Sequence, residues 1–81
     1  MNTDDARALL VTLLRRIAPE VDLETVDPDA PLQDAMDLDS MDFLNLVTAL
    51  HEATGIDVPE RDYPSLSTAT GWAAYVAAAT G

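Results

Sequence analysis

The segment Asp39-Ser40-Met41-Asp42-Phe43-Leu44-Asn45-Leu46-Val47-Thr48-Ala49-Leu50-His51-Glu52-Ala53-Thr54-Gly55 carries apolar side chains at Phe43, Leu46, Val47, Leu50 and Ala53. Steps of three and four lay these residues along one face of an α-helix. Asp39 or Ser40 supplies a cap at its start, and Gly55 stands where a left-handed residue ends a helix. The spacing therefore predicts a helix over about residues 40–54.

On its N-terminal side the periodicity is lost between Pro19 and Asp39. Prolines occur at 28 and 31, acids at 20, 22, 24, 27, 29, 34, 37 and 39, and large apolar residues are scattered at Val21, Leu23, Val26, Leu32, Met36 and Leu38. A connection this long in a small domain is generally functional or disordered. Its scattered apolar residues predict that it packs, with a weak signal for a helical turn near Leu23 to Val26 or Leu32 to Met36. Before it, Ala6, Leu9, Leu10, Leu13, Leu14 and Ile17 form another helical stripe. Thr3 as N-cap, Asp4 and Asp5 in the positive first turn, Arg15 and Arg16 in the negative last turn, and Pro19 beyond it predict a helix over about residues 4–18.

On the C-terminal side, Ile56 and Val58 lead to Pro59, and Glu60-Arg61-Asp62-Tyr63 before Pro64 leaves room for one short helical turn. Ser67 is the expected cap of a last helix over roughly residues 68–79, with Trp72, Tyr75, Val76 and Ala79 on one face. Gly71 is expected to weaken it by about 1 kcal/mol relative to Ala, partly offset by the alanines around it. No stretch reads as a strand. The prediction is an all-α fold: a small antiparallel four-helix bundle of three main helices and one short helix, with a long first loop, forming a single domain over residues 1–81.

The 81 residues carry 15 Asp plus Glu against four Arg and no Lys, a net charge of −11. Such a surface repels phosphate backbones and anionic lipid head groups, so nucleic acid and membrane are poor partners, whereas a basic patch would be attracted. The apolar fraction of 48% is too high for a disordered chain. With no cysteine there is neither a disulfide nor a zinc–thiolate site. An acidic amino terminus unlike a secretory signal, and the absence of a membrane-length apolar run, make a cytoplasmic location the expectation.

Catalysis finds little support. The single histidine, His51, lies eleven residues after Ser40, about 16 Å along the same helix, too far to activate the hydroxyl. No second histidine, cysteine or lysine could complete a catalytic group, so the chain reads as a non-enzyme. Asp37, Asp39 and Asp42 fail the calcium-loop template, because Met41, Asp42 and Thr48 stand at positions five, six and twelve; no metal site is expected. A solvated charged face is the plainer account of these acids.

Ser40 has two readings. It is either an ordinary N-cap, or an exposed hydroxyl at a helix N-terminus where an attached phosphodiester would lie beside unpaired N–H groups and the positive end of the dipole. Asp39-Ser40-Met41 resembles the Asp-Ser-Leu attachment motif of the acyl carrier proteins. The resemblance continues through the helix after it, through Gly55-Ile56-Asp57-Val58-Pro59, and through Tyr63-Pro64-Ser65-Leu66 to the last helix.

The resemblance implies a carrier modified at Ser40. A phosphopantetheinyl transferase would move 4′-phosphopantetheine from coenzyme A to the hydroxyl, and the arm's thiol would hold acyl groups as thioesters. Asp37, Asp39, Met41, Asp42 and Glu52 would face partners, namely acyl-transferring and condensing enzymes with basic patches. Leu46, Val47, Leu50 and Leu66 match positions lining the family's acyl-binding core, and are plain core residues on either account. A monomer is expected.

Four departures stand out. Asp37 occupies a position where the family commonly has glycine, Met41 replaces leucine, and Asn45 and His51 replace frequent acids. The missing acids point to a dedicated pathway over general fatty-acid synthesis, polyketide assembly among the alternatives. His51 beside Glu52 could make the surface charge respond to mild acid, although an ordinary exposed histidine is the plainer reading. Two other functions stay open: a peptidyl carrier with an aminoacyl thioester, and, from a different class, an unmodified acidic module that binds or inhibits a partner at a basic site.

Overall fold

The computed structural model describes residues 1–19 and 22–80; Glu20, Val21 and Gly81, which include two positions of the expected first loop, lie outside the described residues. Four α-helices follow in order: α1 (Thr3–Ile17), α2 (Leu32–Ala35), α3 (Ser40–Thr54) and α4 (Ala69–Thr80). Short 3-10 turns occupy Leu23–Thr25 and Glu60–Leu66. The bundle is all-α, as the periodicity predicts. Both weak signals in the first connection are real turns, and the short helix expected after Pro59 runs on through Pro64 to Leu66.

Helix α1 packs chiefly against α4 and also against α3, while the Glu60–Leu66 turn rests on α4. Leu10, Leu13, Leu32, Leu46, Leu50, Leu66, Trp72 and Val76 are the largest side chains fully withdrawn from solvent. Each contributes about 1.5–3 kcal/mol through burial. The first connection joins this core through Leu23, Leu32, Met36 and Leu38. It is also tied to the start of α4, because the Leu32 N–H donates to the Ser67 carbonyl at 2.7 Å and the Thr70 N–H donates to the Pro28 carbonyl at 3.0 Å.

Three local expectations are corrected. Helix α1 is capped by Asn2, not Thr3: Asn2 Oδ1 accepts from the Asp5 N–H at 2.8 Å, and starting the helix at Thr3 gives the cap to a residue type that ranks above threonine. Helix α4 is capped by Thr68, whose Oγ1 accepts from the Gly71 N–H at 3.0 Å. Ser67 does not take that role because its backbone is still helical, φ −73° and ψ −22°, closing the preceding turn rather than opening α4; its hydroxyl donates backwards to the Pro64 carbonyl at 2.8 Å. Ala79 is exposed, and Ala69 and Ala73 join Trp72 and Val76 in the core instead. Side-chain size explains the shift, since small residues let α4 approach its neighbours closely on a broad face.

Gly71 is a packing requirement. A Cβ there would lie 2.5 Å from the Ser65 carbonyl oxygen and 3.0 Å from Thr68 Oγ1. The propensity loss of this glycine is the cost of bringing α4 against the preceding turn.

Candidate functional site

Ser40 is aimed by the turn before it. Helix α2 ends with Met36, after which Asp37 takes a left-handed conformation with φ 54°. The Leu38 N–H then donates to the Gln33 carbonyl at 2.9 Å, the six-to-one bond of a Schellman ending, and Leu38 is buried. This reversal turns the chain directly into α3. The position where the resembled family commonly has glycine is thus one that demands positive φ, and aspartate is among the few other residues that tolerate it.

Asp39 caps α3. Its Oδ1 accepts from the Asp42 N–H at 2.8 Å, and Asp42 Oδ2 accepts from the Asp39 N–H at 3.4 Å, a reciprocal capping box. Of the two candidate caps read from the sequence, Asp39 holds the position. Ser40 is the first residue of α3, exposed, and among the described residues its hydroxyl has no hydrogen-bond partner. The plain N-cap reading of Ser40 is therefore overturned.

A pocket of about 340 Å³ opens beside Ser40. Phe43 and Leu44 of α3 form one side, Tyr63 and Pro64 the other, and Gln33 and Ser67 add polar groups. Phe43 and Tyr63 meet edge to face, with ring centroids 5.6 Å apart and planes at 69°. The outer surface of α3 begins with two exposed apolar residues, Met41 at 66% and Leu44 at 42% exposure. Asp37, Asp39 and Glu52 are exposed, while Asp42 is partly covered through its capping role. Glu52 lies twelve residues, about 18 Å, along α3 from Ser40, so these acids form an extended face.

Leu46, Leu50 and Leu66 are fully buried and Val47 is partly buried against the core. His51 is exposed, and its partner is Asp57 rather than Glu52. Nδ1 lies 3.1 Å from Asp57 Oδ1 and 3.1 Å from the Ile56 carbonyl oxygen. Two acceptors on one nitrogen select the tautomer with the proton on Nδ1. Among the described residues no group of three carboxylates or imidazoles is arranged to hold a metal, and no helix is long and apolar enough to cross a membrane.

The site fits a phosphodiester-linked arm. The hydroxyl is free and exposed, the first turn of α3 offers its dipole and backbone N–H groups, and the adjoining pocket combines apolar walls with two polar side chains. Leu44, Tyr63, Gln33 and Ser67 went unread as site residues in the sequence. Leu44 could have been noticed as the apolar residue lying off the buried stripe of its helix; the others join the site only through the turn-to-helix contact and carry no local signal.

Residues 8–76 match the family model described as "Phosphopantetheine attachment site". The chain is 36% identical over 81 residues to an acyl carrier protein of Streptomyces coelicolor, covering 96% of this chain and 88% of that protein. It is also 36% identical over 66 residues to an acyl carrier protein of Syntrophobacter fumaroxidans, covering 79% and 82% respectively. A 40-residue stretch is 40% identical to the acyl carrier protein AcpXL of Brucella melitensis, covering 49% of this chain and 43% of that protein.

Proposed function

The chain belongs to the phosphopantetheine-attachment family of acyl carrier proteins, and from that premise we propose that Ser40 is its attachment residue. Membership assigns it an acyl carrier role with a covalently attached 4′-phosphopantetheine. The observation that carries the proposal is the division of labour at the start of α3: Asp39 caps the helix, so the neighbouring hydroxyl stays free and exposed.

Modification consists of attack by Ser40 Oγ on the phosphorus that joins the pantetheine arm to the nucleotide part of coenzyme A. The new Oγ–P bond replaces the bond to the leaving adenosine bisphosphate, and the serine proton passes to a base on the transferase. The arm's thiol supplies the thioester chemistry when bound. This chain's residues then act as a platform. The positive end of the α3 dipole would stabilise the phosphodiester, Met41 and Leu44 offer apolar contact, and Asp37, Asp39, Asp42 and Glu52 draw in basic surfaces of acyl-transferring and condensing enzymes.

The protein works as a monomeric, non-catalytic carrier in the cytoplasm, serving a dedicated fatty-acid, polyketide or related assembly line. Acyl cargo is favoured over aminoacyl cargo by the names of its relatives. The assay is co-expression with a broad-specificity phosphopantetheinyl transferase followed by intact-mass measurement. One added phosphopantetheine on the wild type and none on Ser40→Ala is expected; an addition that survives Ser40→Ala would overturn the assignment.

A further inference from the structure

Ser40 and Phe43 are three residues apart on α3 and so lie on neighbouring parts of one face. Phe43 is only 9% exposed, and its ring meets that of Tyr63 from the Glu60–Leu66 turn at 5.6 Å. Both rings line the pocket that Ser40 also lines. Three and seven residues on from Phe43 along α3, Leu46 and Leu50 are fully buried, as is Leu66, three residues on from Tyr63 in the same turn. The pocket at Ser40 is lined by both α3 and the turn, so a chain entering the core from it meets the two rings in contact.

The pocket outside the rings has a different character. Leu44 and Pro64 offer apolar surface, and Gln33 and Ser67 offer hydrogen-bonding groups. The Ser67 hydroxyl already donates to the Pro64 carbonyl, which leaves its oxygen free to accept. The lining is mostly apolar and covers a short acyl group, its two polar side chains suit the amides of a pantetheine arm, and a long alkyl chain would need the further apolar cover of the core.

We propose that Phe43 and Tyr63 act as a bar, so that this carrier holds short or polar acyl groups in the outer pocket and excludes long alkyl chains from its core. The proposal rests on Ser40 being the attachment residue. The rings set cargo class by geometry: removing either leaves an opening from the pocket towards Leu46, Leu50 and Leu66, whereas Tyr63→Phe keeps both rings and the bar.

The experiment loads uniformly ¹⁵N-labelled protein with butyryl- or octanoyl-phosphopantetheine from the corresponding coenzyme A thioesters. Intact mass confirms the loading, and amide spectra and thermal melts of each form are recorded. In the wild type and in Tyr63→Phe, both cargoes are expected to shift amides around Gln33, Leu44 and Ser67. Those of Leu46, Leu50 and Leu66 should stay in place, and the melting temperatures of the two loaded forms should coincide. In Phe43→Ala or Tyr63→Leu the octanoyl form alone is expected to shift the core amides and to melt several degrees above the butyryl form. Octanoyl-induced shifts of the core leucines in the wild type would overturn the bar irrespective of how the variants fold. A wild-type protein that gains no mass would instead remove the attachment reading, and the bar with it.

Discussion

Asp39 and Asp42 cap the same helix reciprocally, the Asp42 N–H donating to Asp39 Oδ1 at 2.8 Å and the Asp39 N–H donating to Asp42 Oδ2 at 3.4 Å. Ser40 sits between them without a share in the network. Two residues read from the sequence as partner-facing charges are thus also the local scaffold of the proposed attachment residue, and substitution separates the roles. Asp39→Ala should cost about 1 kcal/mol of stability through loss of the cap. Asp39→Asn keeps the acceptor, so its stability should stay close to that of the wild type. If the charge at 39 also recruits the transferase, Asp39→Asn will slow modification while melting normally, with the difference shrinking in high salt; equal modification rates would confine Asp39 to capping.

The left-handed turn at Asp37 makes a second prediction. Glycine adopts φ 54° without a Cβ penalty, whereas a β-branched residue is strained there. Asp37→Val should therefore destabilise the fold by about 1–2 kcal/mol, and Asp37→Gly should be neutral or mildly stabilising. Urea titration followed by far-UV circular dichroism measures both. A Val variant as stable as the wild type would show that the turn is not held in this conformation.

Replacing Gly71 by Ala reverses the expectation from helix propensity. Propensity alone would add about 1 kcal/mol of stability, but the new methyl group meets a backbone carbonyl 2.5 Å away, which cannot rotate aside. Overpacking of this kind costs about 1–3 kcal/mol. The variant should melt below the wild type, with the fluorescence of Trp72, the only tryptophan and fully buried, as the readout.

The Tyr75 hydroxyl donates to Asp62 Oδ2 at 2.8 Å, tying α4 to the Glu60–Leu66 turn. That hydrogen bond to a carboxylate, with burial second, raises the Tyr75 pKa above its ordinary value of 10.0. The neutral phenol is the stabilising form. Its contribution is complete below the unfolded-state pKa and disappears as pH rises through the higher folded-state value. Tyr75→Phe should lower stability by roughly 0.5–1.5 kcal/mol at neutral pH. Melts between pH 9 and 12 should show the wild type losing this advantage over the variant; a constant gap would exclude the linkage.

The excess of acids makes the fold sensitive to ionic strength. At about 0.01 M salt the screening length is about 30 Å, and at 0.15 M about 8 Å; the longest dimension of the molecule is 29 Å. Repulsion among the net eleven negative charges thus acts across the whole domain only at low salt. Melting temperature should rise with added sodium chloride, and a flat response would show that the acids are too well solvated to oppose folding.

The sequence by itself determined what local periodicity and caps can encode. The stripes Ala6–Ile17 and Phe43–Ala53 place α1 and α3 to within a residue, because burying one apolar face is the dominant energy of each helix, although Ala53 at the end of the second stripe is exposed. Ser40 was legible as the start of a helix, which is where a short motif placed the proposed site. Tertiary structure decided the rest. Asp39, and not Ser40, became the cap, because the turn at Asp37 delivers Asp39 in extended conformation at the helix entrance. Thr68 displaced Ser67 because the serine backbone, at φ −73° and ψ −22°, still belongs to the preceding turn. Gly71, a weak helix former on its own, proved necessary because the Ser65 carbonyl, six residues earlier, occupies the space a side chain would need. Phe43 and Tyr63, twenty residues apart, meet beside Ser40 only when the turn docks against α3. Contacts of that kind carry no period and no local signature, so packing alone sets what the pocket beside Ser40 can hold.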